Sequence, residues 1–88
     1  MIYQVAFTES AIKTLKKMDR SISKLIIAWI RKNLEGCNNP RIHGKGLTAN
    51  QSDKWRYKVG DYRIPAQIQD DNVLILILTV GHRSKVYK

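Results

Sequence analysis

Apolar and polar positions follow two different periods along this chain, and the switch between them divides it. Residues 2–7 (IYQVAF) place Tyr3, Val5 and Phe7 on one side of an extended segment, which predicts a short strand with one buried face. Thr8 stands where a helix N-cap is wanted, and Glu9 would sit in the first turn at the positive end of the helix dipole. Ile12, Leu15 and Met18 then recur at helical spacing, with Lys13, Lys16 and Lys17 turned outward. Asp19, Arg20 and Ser21 interrupt the pattern and supply a second cap. Ile22, Leu25, Ile26, Trp29, Ile30 and Leu34 form an apolar stripe that ends near Gly36. The prediction is a helical hairpin with two apolar faces to bury.

Residues 37–52 are the loosest part, with Asn38, Asn39, Pro40, Gly44 and Gly46 and only Ile42 and Leu47 as anchors. From Asp53 the period becomes two. Trp55, Tyr57 and Val59 take one face and Lys54, Arg56 and Lys58 the other. Gly60 and Asp61 make a tight turn. Tyr62, Ile64, Ala66 and Ile68 then alternate with Arg63, Pro65, Gln67 and Gln69. Pro65 lacks the N–H that a ladder needs, which predicts a bulge or an unpaired position near Arg63. Residues 70–72 turn again, and 73–80 are apolar on both faces, as a central strand should be. Gly81 ends that run and a short polar tail follows. The element order is β-α-α-β-β-β, an α+β fold with the helical hairpin packed on one face of a twisted, mainly antiparallel sheet. If the helices cover the Trp55, Tyr57, Ile64 and Ile68 side, the open side carries Lys54, Arg56, Lys58, Arg63 and Gln67.

Composition narrows the class. Eighty-eight residues allow a single domain over 1–88, without repeats or linkers, and 43% hydrophobic residues exclude a disordered basic tail. The apolar runs at 25–30 and 73–78 fall well short of the roughly 18 residues that span a bilayer. Residues 1–4 lack the basic start of a signal peptide. Cys37 is the single cysteine, so no internal disulfide is expected, and with His43 and His82 it makes a poor zinc set. A reducing cytoplasm fits. Charge then points to a partner: 16 basic against 7 acidic residues leave +9. Six bases lie between Arg41 and Arg63 against Asp53 and Asp61, and Arg83, Lys85 and Lys88 close the chain, with Trp55, Tyr57, Tyr62 and Tyr87 among them. Cations mixed with aromatics suit nucleic acid first, and an anionic membrane surface or an acidic protein after it. There is no GxGxxG, Walker loop, HExxH or GxSxG, and no carboxylate pair on the basic face. What remains is Lys and Arg with a Tyr and a His, equipment for stabilising a pentavalent phosphate.

Residues 54–63 (KWRYKVGDYR) and 80–87 (VGHRSKVY) resemble the RelE branch of the RelE/ParE toxin superfamily. The element order and the Lys-rich first helix extend the resemblance over essentially the whole chain. It implies a type II toxin–antitoxin toxin of the kind that cleaves mRNA in the ribosomal A site, against rRNA. An acidic, RelB-like antitoxin that wraps around the fold is the implied inhibitor. The family's active residues carry over as Lys54, Arg56, Arg63, Arg83 and Tyr87, with Lys45, Lys58, His82 and Lys85 as further RNA contacts. The implied chemistry calls for no metal and no cofactor. The ribose 2′-OH attacks the adjacent phosphorus, leaving a 2′,3′-cyclic phosphate and a free 5′-OH. Arg63 and Arg83 would stabilise the added charge, Lys54 would assist deprotonation, and Tyr87 would stack on a base. Arg56 stands where the family more often has lysine; a guanidinium clamps phosphate but is a poor proton acceptor. Two other functions remain open: a ParE-like toxin that inhibits DNA gyrase without RNase chemistry, and a non-enzymatic nucleic-acid module. His82 is either a general acid or a bystander. An extended 80–83 segment would turn it away from the face of Arg83.

Overall fold

A computed structural model describes residues 2–48 and 51–86. The elements run β1 (Gln4–Phe7), α1 (Glu9–Lys17), α2 (Arg20–Asn33), β2 (Lys45–Thr48), β3 (Gln51–Val59), β4 (Tyr62–Gln69), a 3-10 turn (Asp70–Asn72), β5 (Leu74–Ile77), β6 (Gly81–His82) and α3 (Arg83–Val86). Both long helices start on the caps expected of them. The Thr8 hydroxyl accepts from Ala11 N–H at 3.1 Å, and the Asp19 carboxylate accepts from Ser21 N–H at 2.9 Å. Each satisfies a donor that the first helical turn leaves open.

The sheet order is β1-β5-β4-β3-β2, with β6 continuing along β4. β2 through β5 pair antiparallel, while β1 pairs parallel with β5. β5 is therefore flanked on both sides, as its apolar run predicted, although the strand spans only Leu74–Ile77. One strand of the meander was not legible: β2 lies inside the stretch read as loose. Its Lys-Gly-Leu-Thr sequence has no alternation, and an edge strand with one neighbour needs none. The polar tail is extended only over β6 and then closes into the single helical turn α3.

The core lies between the helical hairpin and one face of the sheet. Ile26 and Ile30 of α2 and Leu34 at its C-cap meet Tyr57, Ile64 and Ile68 of the meander and Ile75 and Ile77 of β5. Burying an isoleucine side chain contributes about 1.5–3 kcal/mol, so this layer carries most of the hydrophobic stabilisation. Leu25, expected in the stripe, is 61% exposed, and Ile12 is 42% exposed. Only one flank of each helix faces the sheet; on α1 Leu15 is buried as its spacing predicted, and Ala11 is buried where Ile12 was expected. On the outer edge of β1 the Glu35 carboxylate accepts from Val5 N–H at 2.8 Å, occupying a donor that another strand could otherwise take. Among the described residues no helix is long and apolar enough to cross a membrane.

Pro65 interrupts pairing on one side only. Its register with Arg56 on β3 is unbroken. On the other side Ile77 lies opposite Ala66 and Gly81 opposite Arg63, so residues 78–80 face only 64 and 65. This is a bulge of one extra residue. The Pro65 carbonyl accepts from Leu78 N–H at 2.9 Å, and on that same edge proline has no N–H to return. The extra residue reverses the alternation: Val80 turns into the core at 4% exposure, and His82 comes to lie opposite Tyr62.

Candidate nucleic-acid interface

Alternation places the cations. Tyr57 pairs with Ile64 on the core face, so their neighbours Arg56, Lys58 and Arg63 are directed to the open face. Lys58 lies directly opposite Arg63, and β2 adds Lys45 opposite Arg56. Together Lys45, Arg56, Lys58 and Arg63 line a hollow of about 390 Å³ whose remaining wall is Gly44. Four cations around one open hollow focus positive potential there, which favours an anion that bridges them.

Gly44 makes this approach possible. Its φ is +77°, and a Cβ there would lie 2.3 Å from the Arg56 carbonyl oxygen and 2.9 Å from Trp55 Nε1. Only glycine fits both the conformation and the distance. The surrounding segment is tied down from the core side. Tyr57 is fully buried, and its hydroxyl donates to the Pro40 carbonyl at 2.7 Å. Burial pushes the Tyr57 phenol far above its ordinary pKa, so it stays neutral and acts as a structural donor. Trp55 Nε1 donates to the His43 carbonyl at 2.6 Å, and the His43 ring meets Trp29 edge-on at 5.5 Å. Arg41 makes two parallel hydrogen bonds to Asp70, at 3.0 and 3.1 Å, and Tyr3 OH donates to the same carboxylate at 2.6 Å. Arg41 first and Tyr3 second hold the Asp70 carboxyl below the usual range. Arg41 thus serves the scaffold; it also lies over the Trp55 ring, 5.9 Å from its centroid.

Arg63 and Arg83 converge on the turn after β3. Arg63 Nη1 donates to the Gly60 carbonyl at 3.1 Å and to its neighbour Tyr62 at 3.2 Å. The Arg83 backbone N–H donates to the Asp61 carbonyl at 2.8 Å, and its Nε stands 3.7 Å from the Asp61 carboxylate. Both partners of that ion pair are well exposed, so it holds the guanidinium only loosely. Lys54 is on the same face but further along, opposite Gln67, about 13 Å from Lys58 at strand spacing. His82 is turned to the other face, edge-on to Tyr62 at 5.5 Å, with Nδ1 2.9 Å from Ser84 Oγ. Lys85 lies on α3, and Tyr87 lies outside the described residues. Gly44 and Asp61 are the two site-shaping residues the sequence did not single out. In the sequence the first is only part of a loose segment and the second only a turn residue within the 54–63 motif, and each matters through what it approaches in space.

The arrangement can clamp a phosphate and neutralise charge that builds on it. The Cys37 thiol is pushed up by burial and is not an activated nucleophile. Among the described residues no three His, Cys, Asp or Glu side chains are grouped to hold a metal ion.

Residues 5–87 match the family model described as the ParE toxin of the type II toxin–antitoxin system, parDE. A RelE-like toxin of Escherichia coli is 29% identical over 86 residues, covering 97% of this chain and 87% of the relative. Toxin RelG of Mycobacterium tuberculosis is 28% identical over 88 residues, covering 100% and 99%. Among solved structures, the toxin–antitoxin complex RelBE2 from Mycobacterium tuberculosis contains a chain that superposes with a TM-score of 0.80 at 28% identity, covering 94% of this chain and 100% of that one. A doubly substituted Escherichia coli RelE in the free state superposes at 0.76 and 26% identity, covering 99% and 92%.

Proposed function

The chain belongs to the ParE toxin family of type II toxin–antitoxin systems, within the RelE/ParE superfamily, and from that premise we propose that it is a RelE-type endoribonuclease that cuts mRNA on the ribosome. The observation that carries this reading is the hollow lined by Lys45, Arg56, Lys58 and Arg63, with Arg83 held at the same turn that Arg63 bonds to. In the proposed reaction the 2′-OH attacks the adjacent phosphorus while the bond to the 5′-oxygen breaks. The products are a 2′,3′-cyclic phosphate and a 5′-OH. Arg63 and Arg83 stabilise the extra negative charge of the pentavalent phosphorus. Arg56 and Lys58 hold the flanking phosphates, Lys54 assists removal of the 2′ proton, and Lys45 and Lys85 contact RNA. Tyr87 is assigned stacking on a base.

The chain brings few acid–base groups to this face, so positioning must supply much of the rate. The ribosomal A site would provide it by holding the message in line. The partners of this reading are mRNA, rRNA and an acidic antitoxin of the RelB kind, and the site of action is the cytoplasm. A second reading has its own support, because the matching family model is that of ParE toxins. In it the chain inhibits DNA gyrase and has no RNase chemistry.

The test is 3′-end mapping of a defined message on purified ribosomes, with the same RNA alone as control. Cleavage on ribosomes with the naked RNA nearly untouched is expected. Efficient cutting of naked RNA would remove the ribosome from the mechanism. Intact mRNA together with DNA-damage signalling and filamentation on induction would favour the gyrase reading.

A further inference from the structure

Further along the sheet from the cationic hollow lies a second one, with a lining of the opposite character. It holds about 380 Å³, and Gln67, Gln69, Asn72, Asp53, Asp70 and Asp71 line it. Among the described residues no Lys or Arg does. Gln67 lies four residues beyond Arg63 on β4, about 13 Å at strand spacing, and directly opposite Lys54 on β3. Alternation with the buried Ala66 and Ile68 directs Gln67 and Gln69 to the same face as the cations. Hydrogen bonds order the amides. Asn72 Nδ2 donates to Gln69 Oε1 at 2.8 Å, and Gln69 Nε2 donates to Gln67 Oε1 at 2.9 Å. That order of donation leaves Gln67 Nε2 as the donor at the end of the chain nearest the cations. Asp70 is taken by Arg41 and Tyr3, while Asp53 and Asp71 bring further acceptors.

We propose that this hollow is a base-recognition subsite, in which the Gln67 amide selects a nucleobase with an exocyclic amino group on the RNA strand that the cations hold; the proposal rests on the reading of the open face as an RNA surface. Lys54 and Arg56 keep the phosphates over β3, and the carboxylates of the hollow repel a phosphate that strays into it. A base is neutral and carries its own donors and acceptors, so it is the part of a nucleotide that fits. Single-stranded RNA is read in this way, on splayed bases through their hydrogen-bonding edges. Cytosine offers its N4 amino group to Gln67 Oε1 or the Asp71 carboxylate, and its O2 or N3 to Gln67 Nε2. Uracil puts a carbonyl where that amino group would be, which leaves the acceptors of the hollow without a donor. Among the described residues the carboxylates are not grouped to hold a metal ion.

The experiment titrates the full-length chain into dye-labelled oligocytidylate and oligouridylate of equal length, followed by fluorescence anisotropy at low salt. Their sugars are 2′-O-methylated, so no 2′-OH attack can occur and a failure of the ribonuclease reading does not touch the outcome. The two oligomers share backbone and ring size, and the amino group of one is a carbonyl in the other. Oligocytidylate should bind ~5-fold or more tightly. Gln67→Leu keeps the size of the side chain and should bring the two affinities to within about twofold of each other. Asn72→Ala, at an exposed turn position, should narrow the difference by loosening the amide chain. Lys54→Met should weaken both oligomers alike, as loss of a phosphate contact does. Equal affinities in the wild type would overturn the proposal, as would a preference that survives in a folded Gln67→Leu. If that variant does not fold, an unchanged preference in Asn72→Ala overturns it. Binding of neither oligomer would overturn it too, while cleavage on ribosomes would still decide the ribonuclease reading on its own.

Discussion

Substituting Gly44 by alanine tests whether the close approach at the hollow is a structural requirement. The new Cβ would fall 2.3 Å from the Arg56 carbonyl oxygen, 2.9 Å from Trp55 Nε1 and 3.0 Å from Tyr57 Cδ1. The nearest atom is backbone in a paired strand, so it cannot swing aside as a side-chain tip could. Holding alanine at a φ of +77° costs about 1–2 kcal/mol. Relieving the overlap means moving the 43–45 segment, which breaks the bond from Trp55 Nε1 to the His43 carbonyl and loses about 1 kcal/mol more. Displaced packing against the fully buried Tyr57 adds about 1–2 kcal/mol. The lower entropy of unfolded alanine returns about 0.4–1 kcal/mol. The net expectation is a destabilisation of about 2–4 kcal/mol. For a domain of this size that is a drop in melting temperature of roughly 10–25 °C. Urea unfolding followed by far-UV circular dichroism gives the free energy directly. A loss below about 1 kcal/mol would refute the reasoning. The segment would then have room to yield, and Gly44 would not be what holds Lys45 opposite Arg56.

Arg63→Ala and Arg83→Ala should each slow ribosomal cleavage by ~10²-fold or more, on the scale of one lost oxyanion-type donor, with melting temperatures close to wild type; parallel losses of stability would make both residues structural. Asp70→Asn should reduce stability near neutral pH by about 1 kcal/mol or less, because the ion pair with Arg41 is part-exposed. The Asp70 carboxyl is held below the usual range, so its contribution is fully present above about pH 4 and disappears as pH falls through the lowered folded value. Urea midpoints of the two proteins should therefore converge toward pH 2–3, and a gap that persists there would contradict the assignment. His82→Ala should lose less than ~10-fold in single-turnover cleavage and keep the shape of the pH profile, whereas a ~10² loss with one limb removed would make His82 the general acid.

The local pattern of residues was enough for the helices, their caps and the two long strands of the meander, because each depends on periodicity and on neighbours a few positions away. Thr8 and Asp19 cap as their identities suggest, and the alternation of Trp55–Val59 and Tyr62–Ile68 sorts cations from core side chains without knowledge of any partner strand. That is why the open cationic face could be read from the chain alone. The proline signalled a bulge for the same local reason. What the bulge does is tertiary: by adding one residue opposite β4 it turns His82 toward Tyr62, which depends on a register that no local pattern encodes. The edge strand β2 was illegible because its short sequence carries no side-chain period, and the parallel partner of β1 because backbone bonds join it to positions 70 residues further along the chain. The hollow itself is of this kind. Lys45, Arg56, Lys58 and Arg63 become one site only because β2, β3 and β4 lie side by side, and because Gly44 lets the first of them come close enough. Residue types determine what chemistry such a face can perform; packing decides which of those residues share it.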